Sequence, residues 1–300
     1  MRIYVSASAL YNLFTESEFY MLYDSHAHLN NEGFSEEERA QFIADIQAAV
    51  DEGLLSFIND VGFELASSKM ACDHAAKYPW CYAVVGCHPH DSKDFDDVQL
   101  EMIRALAKKD KVQAIGEIGL DFHYDFSDRD SQRYWFRRQI QLANELKMPI
   151  VIHEREANAE CMEILKEEGA FSDERKSWFP KRPGPDGEML ADARVLMHCF
   201  SGSAELGKQY VKLGATISMA GPLTYKNNRR GVEVAEQIPI EFLLVETDSP
   251  YLTPVPHRGK QNRPPYVEFT ARRLAEIKEM EFEEVARITC ENAKRFFDIK

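Results

Sequence analysis

Short apolar runs recur along the chain, each ending in a polar or reactive residue and each followed by an amphipathic stretch. They are Met21–Tyr23, Leu55–Ile58, Tyr82–Gly86, Val112–Ile115, Pro149–Ile152, Val195–Met197, Thr216–Met219 and Phe242–Val245. Nearly continuous apolar character over so few residues predicts strands buried on both faces, as in a parallel sheet. Helical patterns lie between them, among them Arg133–Leu146 and Pro265–Glu279. Ser35 and Glu38 are spaced as a capping box, which predicts a helix from there to about Asp51, stopped by Gly53. Eight such strands alternating with helices predict an α/β protein of the (β/α)8 TIM-barrel type. A doubly wound sheet is the competing architecture. It is disfavoured because reactive side chains end many strands instead of clustering at one switch point. Phe171–Asp192, rich in Pro, Gly and charge, reads as a loop inserted between a helix and the next strand.

Composition narrows the function classes. The 300 residues carry 36 Lys+Arg against 50 Asp+Glu, a formal net charge of −14, with 44% apolar residues. That balance suits a globular enzyme and argues against holding nucleic acid by a broad basic surface. No apolar run approaches the roughly 18–20 residues of a membrane helix, and no long apolar stretch precedes Glu16 and Glu18 as in a secretory signal. The six cysteines (72, 81, 87, 161, 199 and 290) include no CxxC pair and read as reduced, packed thiols in a cytoplasmic protein. Cys199, beside His198, is a candidate nucleophile or ligand, with core packing the preferred reading.

Seven of the nine histidines fall at or just beyond strand ends: His26, His28, His88, His90, His123, His153 and His198. Glu117 and Asp248 hold equivalent places on other strands. The C-terminal strand ends of a barrel converge on one cleft, so these residues meet there. Imidazoles with carboxylates make a first shell for a divalent ion. His26 and His28, two apart on a strand, point the same way and reach one ion, whose shell Asp248 completes. Glu117 bridges to a second ion held by His153 and His198. Two ions about 3.5–4 Å apart activate water and stabilise an in-line phosphoryl displacement. Singly, each of these residues is better read as a capping or hydrogen-bonded side chain, and so are His74 and His257. The same coincidence at five strand ends is not.

The segments DSHAHLN (24–30), VGCHPHD (85–91), AIGEIGLDFH (114–123), PIVIHERE (149–156), VLMHCFSGS (195–203), LLVETDSPYLTPVPHRGKQN (243–262) and ENAKRFF (291–297) resemble, in this order, the TatD family of metal-dependent hydrolases in the amidohydrolase superfamily. The resemblance implies a (β/α)8 fold, two divalent ions and DNase activity, often exonucleolytic. It implies His26, His28, Glu117 and Asp248 at the first metal site and Glu117, His153 and His198 at the second. Met21 matches the family's usual start, which makes residues 1–20 an N-terminal extension and 21–300 one barrel domain. Arg263 stands where the family commonly has Glu, which bears on local packing or phosphate contact, and Phe171–Asp192 is longer than usual.

The expected reaction is phosphodiester hydrolysis, with Asp248 as general base and Glu117 as the bridging carboxylate. His88 and Arg155 are expected to hold the phosphate, with His123 and His90 as weaker candidates. The basic run His257–Arg263 follows the last strand, where barrels often bind phosphate. Tyr225 and Tyr251 are candidates for base stacking, with rim packing the safer reading. The expected substrate is nucleic acid, as DNA ends or single strands engaged through metal-bound phosphates, and no obligate protein partner is evident. Zn²⁺, Mn²⁺, Ni²⁺ and Mg²⁺ all suit the donor set. The alternative activity is hydrolysis of an amide, an amine or an aminoacyl-tRNA ester. Dinuclear amidohydrolases often bridge with a carboxylated Lys, and here Glu117 occupies that strand end. A non-catalytic metal-binding scaffold is the third reading, disfavoured because every expected ligand is present.

Overall fold

The computed structural model describes residues 21–299, so the 1–20 extension lies outside the described residues. Eight parallel strands follow one another in chain order around the sheet. They are β1 (Leu22–Ala27), β2 (Leu55–Val61), β3 (Cys81–Val85), β4 (Val112–Asp121), β5 (Ile150–Arg155), β6 (Val195–Met197), β7 (Ala215–Met219) and β8 (Leu243–Val245). The ring closes just past β8. Ala27 bridges Ser249, Asp248 N–H donates to His26 O (2.9 Å), and His28 N–H donates to Ser249 O (2.8 Å). The closure itself therefore brings His26, His28 and Asp248 together.

The apolar runs build two core layers, as their two-sided burial requires. Tyr23, Val61, Val84, Ala114, Val151, Leu196 and Leu244, from seven of the eight strands, pack with Ala293, Phe296 and Phe297 of the helix Phe282–Phe296 and its end. This helix, which the apolar pattern did not single out, seals the barrel, with Phe297 stacked on Tyr23 at 6.0 Å. The larger cluster lies between strands and helices and includes Phe42, Ile46, Phe136, Ile140, Leu165 and Leu274.

Local signals operate as expected. The helix Glu36–Asp51 opens on the Ser35–Glu38 capping box, and Gly53 beyond it has φ 75°. The helix Arg129–Leu146 begins four residues before the predicted start because Asp128 caps it through Ser131 N–H. The helix Val267–Lys278 follows a 3₁₀ turn over Pro264–Tyr266.

The segment Phe171–Asp192 is not a plain loop. It contains a short helix, Asp173–Ser177, and an antiparallel pair of two-residue strands, Arg182–Pro183 with Met189–Leu190. Two of its charges point inward and make backbone bonds. Buried Arg175 donates to Ala193 O, Asn144 Oδ1 and Met148 O (2.7–2.8 Å), and buried Arg182 donates to Ala215 O and Val211 O. Among the described residues, no helix is long and apolar enough to cross a membrane.

Candidate metal centre

Four donor atoms meet where the ring closes. His26 Nε2 lies 3.3 Å from His28 Nε2, 3.3 Å from Glu117 Oε2 and 4.0 Å from Asp248 Oδ1. His28 Nε2 lies 3.8 Å from the same Glu117 oxygen and 3.4 Å from Asp248 Oδ1. Ligands about 2.1 Å from a tetrahedral ion stand about 3.4 Å from one another, so these separations fit a divalent cation. The ring orientation fits as well. His28 Nδ1 is 2.7 Å from Val61 O, which only accepts, so Nδ1 carries a hydrogen and Nε2 is the nitrogen that would meet an ion. Asp248 presents its carboxylate from a left-handed backbone (φ 55°), a conformation that Asp tolerates better than most residues.

Glu117, buried at the middle of β4, divides its two oxygens between two groups. Oε2 faces His26 and His28, whereas Oε1 lies 2.8 Å from His153 Nδ1 and 2.7 Å from His198 Nε2. Burial works against its ionisation, but His198, His88 and His26 and the bond from His153 outweigh it. They hold this carboxyl well below the usual range. Burial likewise opposes charge on His198, yet Glu117 and Glu246 raise it well above an ordinary imidazole. The positive charge that stabilises these carboxylates is what bound cations would supply. His26, His28, Glu117, His153, His198 and Asp248 together could hold metal.

Two carboxylates escaped the sequence reading. Asp121, at the end of β4, accepts from His153 Nε2 (3.0 Å) and His90 Nε2 (2.9 Å), and its other oxygen takes the N–H groups of His123 and Tyr124. A carboxylate on the far nitrogen of a ligating His fixes the ring and raises its basicity. Glu246, wholly buried just past β8, accepts from Ser218 Oγ (2.6 Å) and Cys199 N–H (2.6 Å), and lies 3.4 Å from His198 Nδ1. Each lies inside one of the family-like segments, but their partners elsewhere in the barrel are 28 or more residues away and no local period marks them.

The other candidates divide. His88 is buried, and its Nδ1 accepts the His90 N–H (3.1 Å), so its hydrogen sits on Nε2, 3.6 Å from Glu117 Oε1. It is a donor at the mouth, not a ring with a free lone pair. Arg155 lies over the Tyr124 ring at 4.7 Å, and His123 is exposed and paired to Glu156 (2.7 Å). Arg263 turns away to form an ion pair with Asp45, so it is a packing residue. Within its basic run, His257 stacks on Tyr266 and Arg258 on Tyr225. Tyr225 donates its hydroxyl hydrogen to Thr253 O, and Tyr251 accepts from Asn31. His74 is tied to Asp60 (2.7 Å). Burial, first, and then Asp248 and Glu246 push the Cys199 thiol up, which disfavours the thiolate that a nucleophile needs. A cleft of about 380 Å³ adjoins it, lined by Phe200, Met219, Leu223, Asn227, Arg229 and Arg230 and by none of the convergent donors.

Comparison with known proteins places the chain in a family. The model of the TatD related DNase family matches residues 23–298. The uncharacterized metal-dependent hydrolase YabD of Bacillus subtilis is 41% identical, over 93% of this chain and 100% of its own. The 3′-5′ ssDNA/RNA exonuclease TatD of Salmonella typhimurium is 32% identical, over 93% and 99%. Among solved structures, YjjV, a TatD homolog from Escherichia coli K12, superposes with a TM-score of 0.79 at 26% identity, over 94% and 100%. Dihydroorotase from Campylobacter jejuni (TM-score 0.52, 13% identity, 93% and 84%) shares the fold alone. By sequence, fold and these matches, the chain belongs to the TatD family of metal-dependent hydrolases.

Proposed function

We propose that the protein is a two-metal phosphodiesterase acting on nucleic acid, as an exonuclease of DNA ends or single strands. The observation that carries this reading is Glu117, whose two oxygens face separate imidazole groups. In this reading His26, His28, Glu117 and Asp248 hold one divalent cation, and Glu117, His153 and His198 hold the other. The bound cations supply Lewis acidity, which acidifies water and offsets negative charge developing on the phosphoryl group.

The chain's own residues do the rest. Asp248 accepts the proton of the attacking water through its carboxylate. His88 donates from Nε2 to a phosphoryl oxygen, and Arg155 adds positive charge on the same rim. Asp121 keeps His153 oriented, and Glu246 faces the far nitrogen of His198. Two features favour this over amide chemistry: Glu117 stands where a carboxylated Lys would bridge, and relatives at 31–32% identity are named exonucleases. The six cysteines, all free, suit a reducing compartment, and we assign the protein to the cytoplasm.

The test is metal-stripped protein incubated with labelled single- and double-stranded DNA, RNA and a chromogenic phosphodiester, adding back one metal at a time. Hydrolysis that returns with metal and is faster on single strands is expected. No phosphodiester cleavage with any metal overturns the reading.

A further inference from the structure

Nine large apolar side chains are exposed among the described residues, and two of them, Tyr124 and Phe126, are ring neighbours at the mouth of the barrel. Tyr124 is 41% and Phe126 57% exposed, and their rings stack at 5.3 Å with only 10° between planes. Keeping two stacked aromatics in water forgoes apolar burial, so the arrangement points to an occupant.

Its place in the site narrows what that occupant is. His90 packs edge-on against both rings, at 5.7 and 4.9 Å, and bonds Asp121, which bonds His153. One imidazole and one carboxylate thus separate the aromatic pair from the donor cluster. Arg155 covers Tyr124 at 4.7 Å, and Asp125, between the two aromatics, is paired to Arg129 (3.6 Å).

The turn that carries the pair is also fixed. Asp121 Oδ1 takes the N–H of Tyr124, Ser127 Oγ donates to His90 O (2.6 Å), and Gln132 Nε2 donates to Ser127 O (3.0 Å). Rigid flat rings lose little entropy on binding.

We propose that Tyr124 and Phe126 form a stacking platform for a nucleobase of a single-stranded substrate, next to the phosphate undergoing attack. This rests on the phosphodiesterase reading and adds what holds the strand. A chain of net charge −14 lacks the excess of basic residues that lets a protein hold nucleic acid through phosphates alone, which leaves a role for contacts to bases. Stacking supplies that without sequence preference, because every base has a π face. A paired base keeps its faces inside the duplex, so the platform selects unpaired ends.

The experiment measures Kd by fluorescence anisotropy for labelled oligothymidylate and for an abasic strand of equal length and charge. It uses metal-loaded protein carrying Asp248→Asn, so that the strand stays whole. With the platform intact, the base-bearing strand binds tighter by roughly 5- to 100-fold, the range for one stacked base. Adding Tyr124→Ala and Phe126→Ala brings the two affinities together, and Phe126→Trp restores the gap. Phe126→Leu, which keeps apolar area without a ring, narrows it and guards against a folding artefact. Equal binding of both strands by the intact platform, or a full gap in the Leu variant, overturns the proposal. Wild-type protein that cleaves no strand while the base preference persists would instead overturn the nuclease reading and leave the platform standing.

Discussion

At the scale of single residues, ring tautomers separate ligands from donors. His28 gives its Nδ1 hydrogen to Val61 O and turns Nε2 toward Glu117 and Asp248, whereas His88 accepts at Nδ1 and presents N–H. His88→Ala should therefore leave metal content intact and lower turnover about 10- to 100-fold, while His26→Ala should lower bound metal. Metal analysis of both variants beside a phosphodiesterase assay checks this, and loss of metal in the His88 variant would make it a ligand. Asp248→Asn keeps the size of the side chain and removes the base, so turnover should fall by about 10²–10⁴ with most metal retained. Asp121→Asn removes the carboxylate on the far nitrogen of His153 and should cost about 10- to 100-fold in metal affinity or rate. Titration with a metal indicator separates those two. The six proposed ligands were legible from sequence because His and carboxylate residues recur where successive apolar runs end, within the segments that resemble the family. Asp121 and Glu246 were not, because their roles depend on partners supplied by other strands.

At the scale of elements, the eight strands were legible because two-sided burial leaves an unbroken apolar run. β4 extends six residues past its predicted end at Ile115, to Asp121, since Gly116, Glu117 and Gly119 interrupt that run without interrupting the strand. Gly119 does so for a steric reason: it lies beside His153 in the β4–β5 register, and a Cβ there would stand 1.9 Å from His153 O. Its φ of 151° also suits glycine. Gly119→Ala should push β4 from β5 at the level of the metal centre, costing roughly 2–4 kcal/mol of stability and weakening metal binding. Chemical denaturation with and without metal measures both. An unchanged midpoint would show that the strands give way freely. The Phe171–Asp192 segment carries structure that its sequence hides, because its charges suggest solvent exposure. Arg175 and Arg182 are buried, and their acceptors are backbone carbonyls, one amide and one hydroxyl that no residue pattern displays.

At the scale of the whole molecule, the centre joins the two sides of the barrel's seam, so its charge state bears on the stability of the fold. Without cations, imidazole protons are what offsets the carboxylate charge, and Glu117 and Glu246 outweigh burial to raise the proton affinity of His198. A raised folded-state pKa contributes stability that is fully present below the unfolded value, about 6.5, and is lost as pH rises through the folded one. Metal binding runs the other way. It requires the deprotonated ring, so affinity grows as pH rises and binding releases protons. The melting temperatures of loaded and stripped protein should therefore diverge with pH, modestly apart near pH 6 and furthest apart near pH 9. At a free metal concentration about 1,000 times Kd, one site adds about 4 kcal/mol, or roughly 10 °C for a chain of this size. Thermal scans of both forms across that range, with proton release followed by indicator dye, measure the linkage. A gap that stays constant or narrows as pH rises would mean that cations and protons do not compete for the same imidazoles, and the assignment of His198 as a ligand would fail with it.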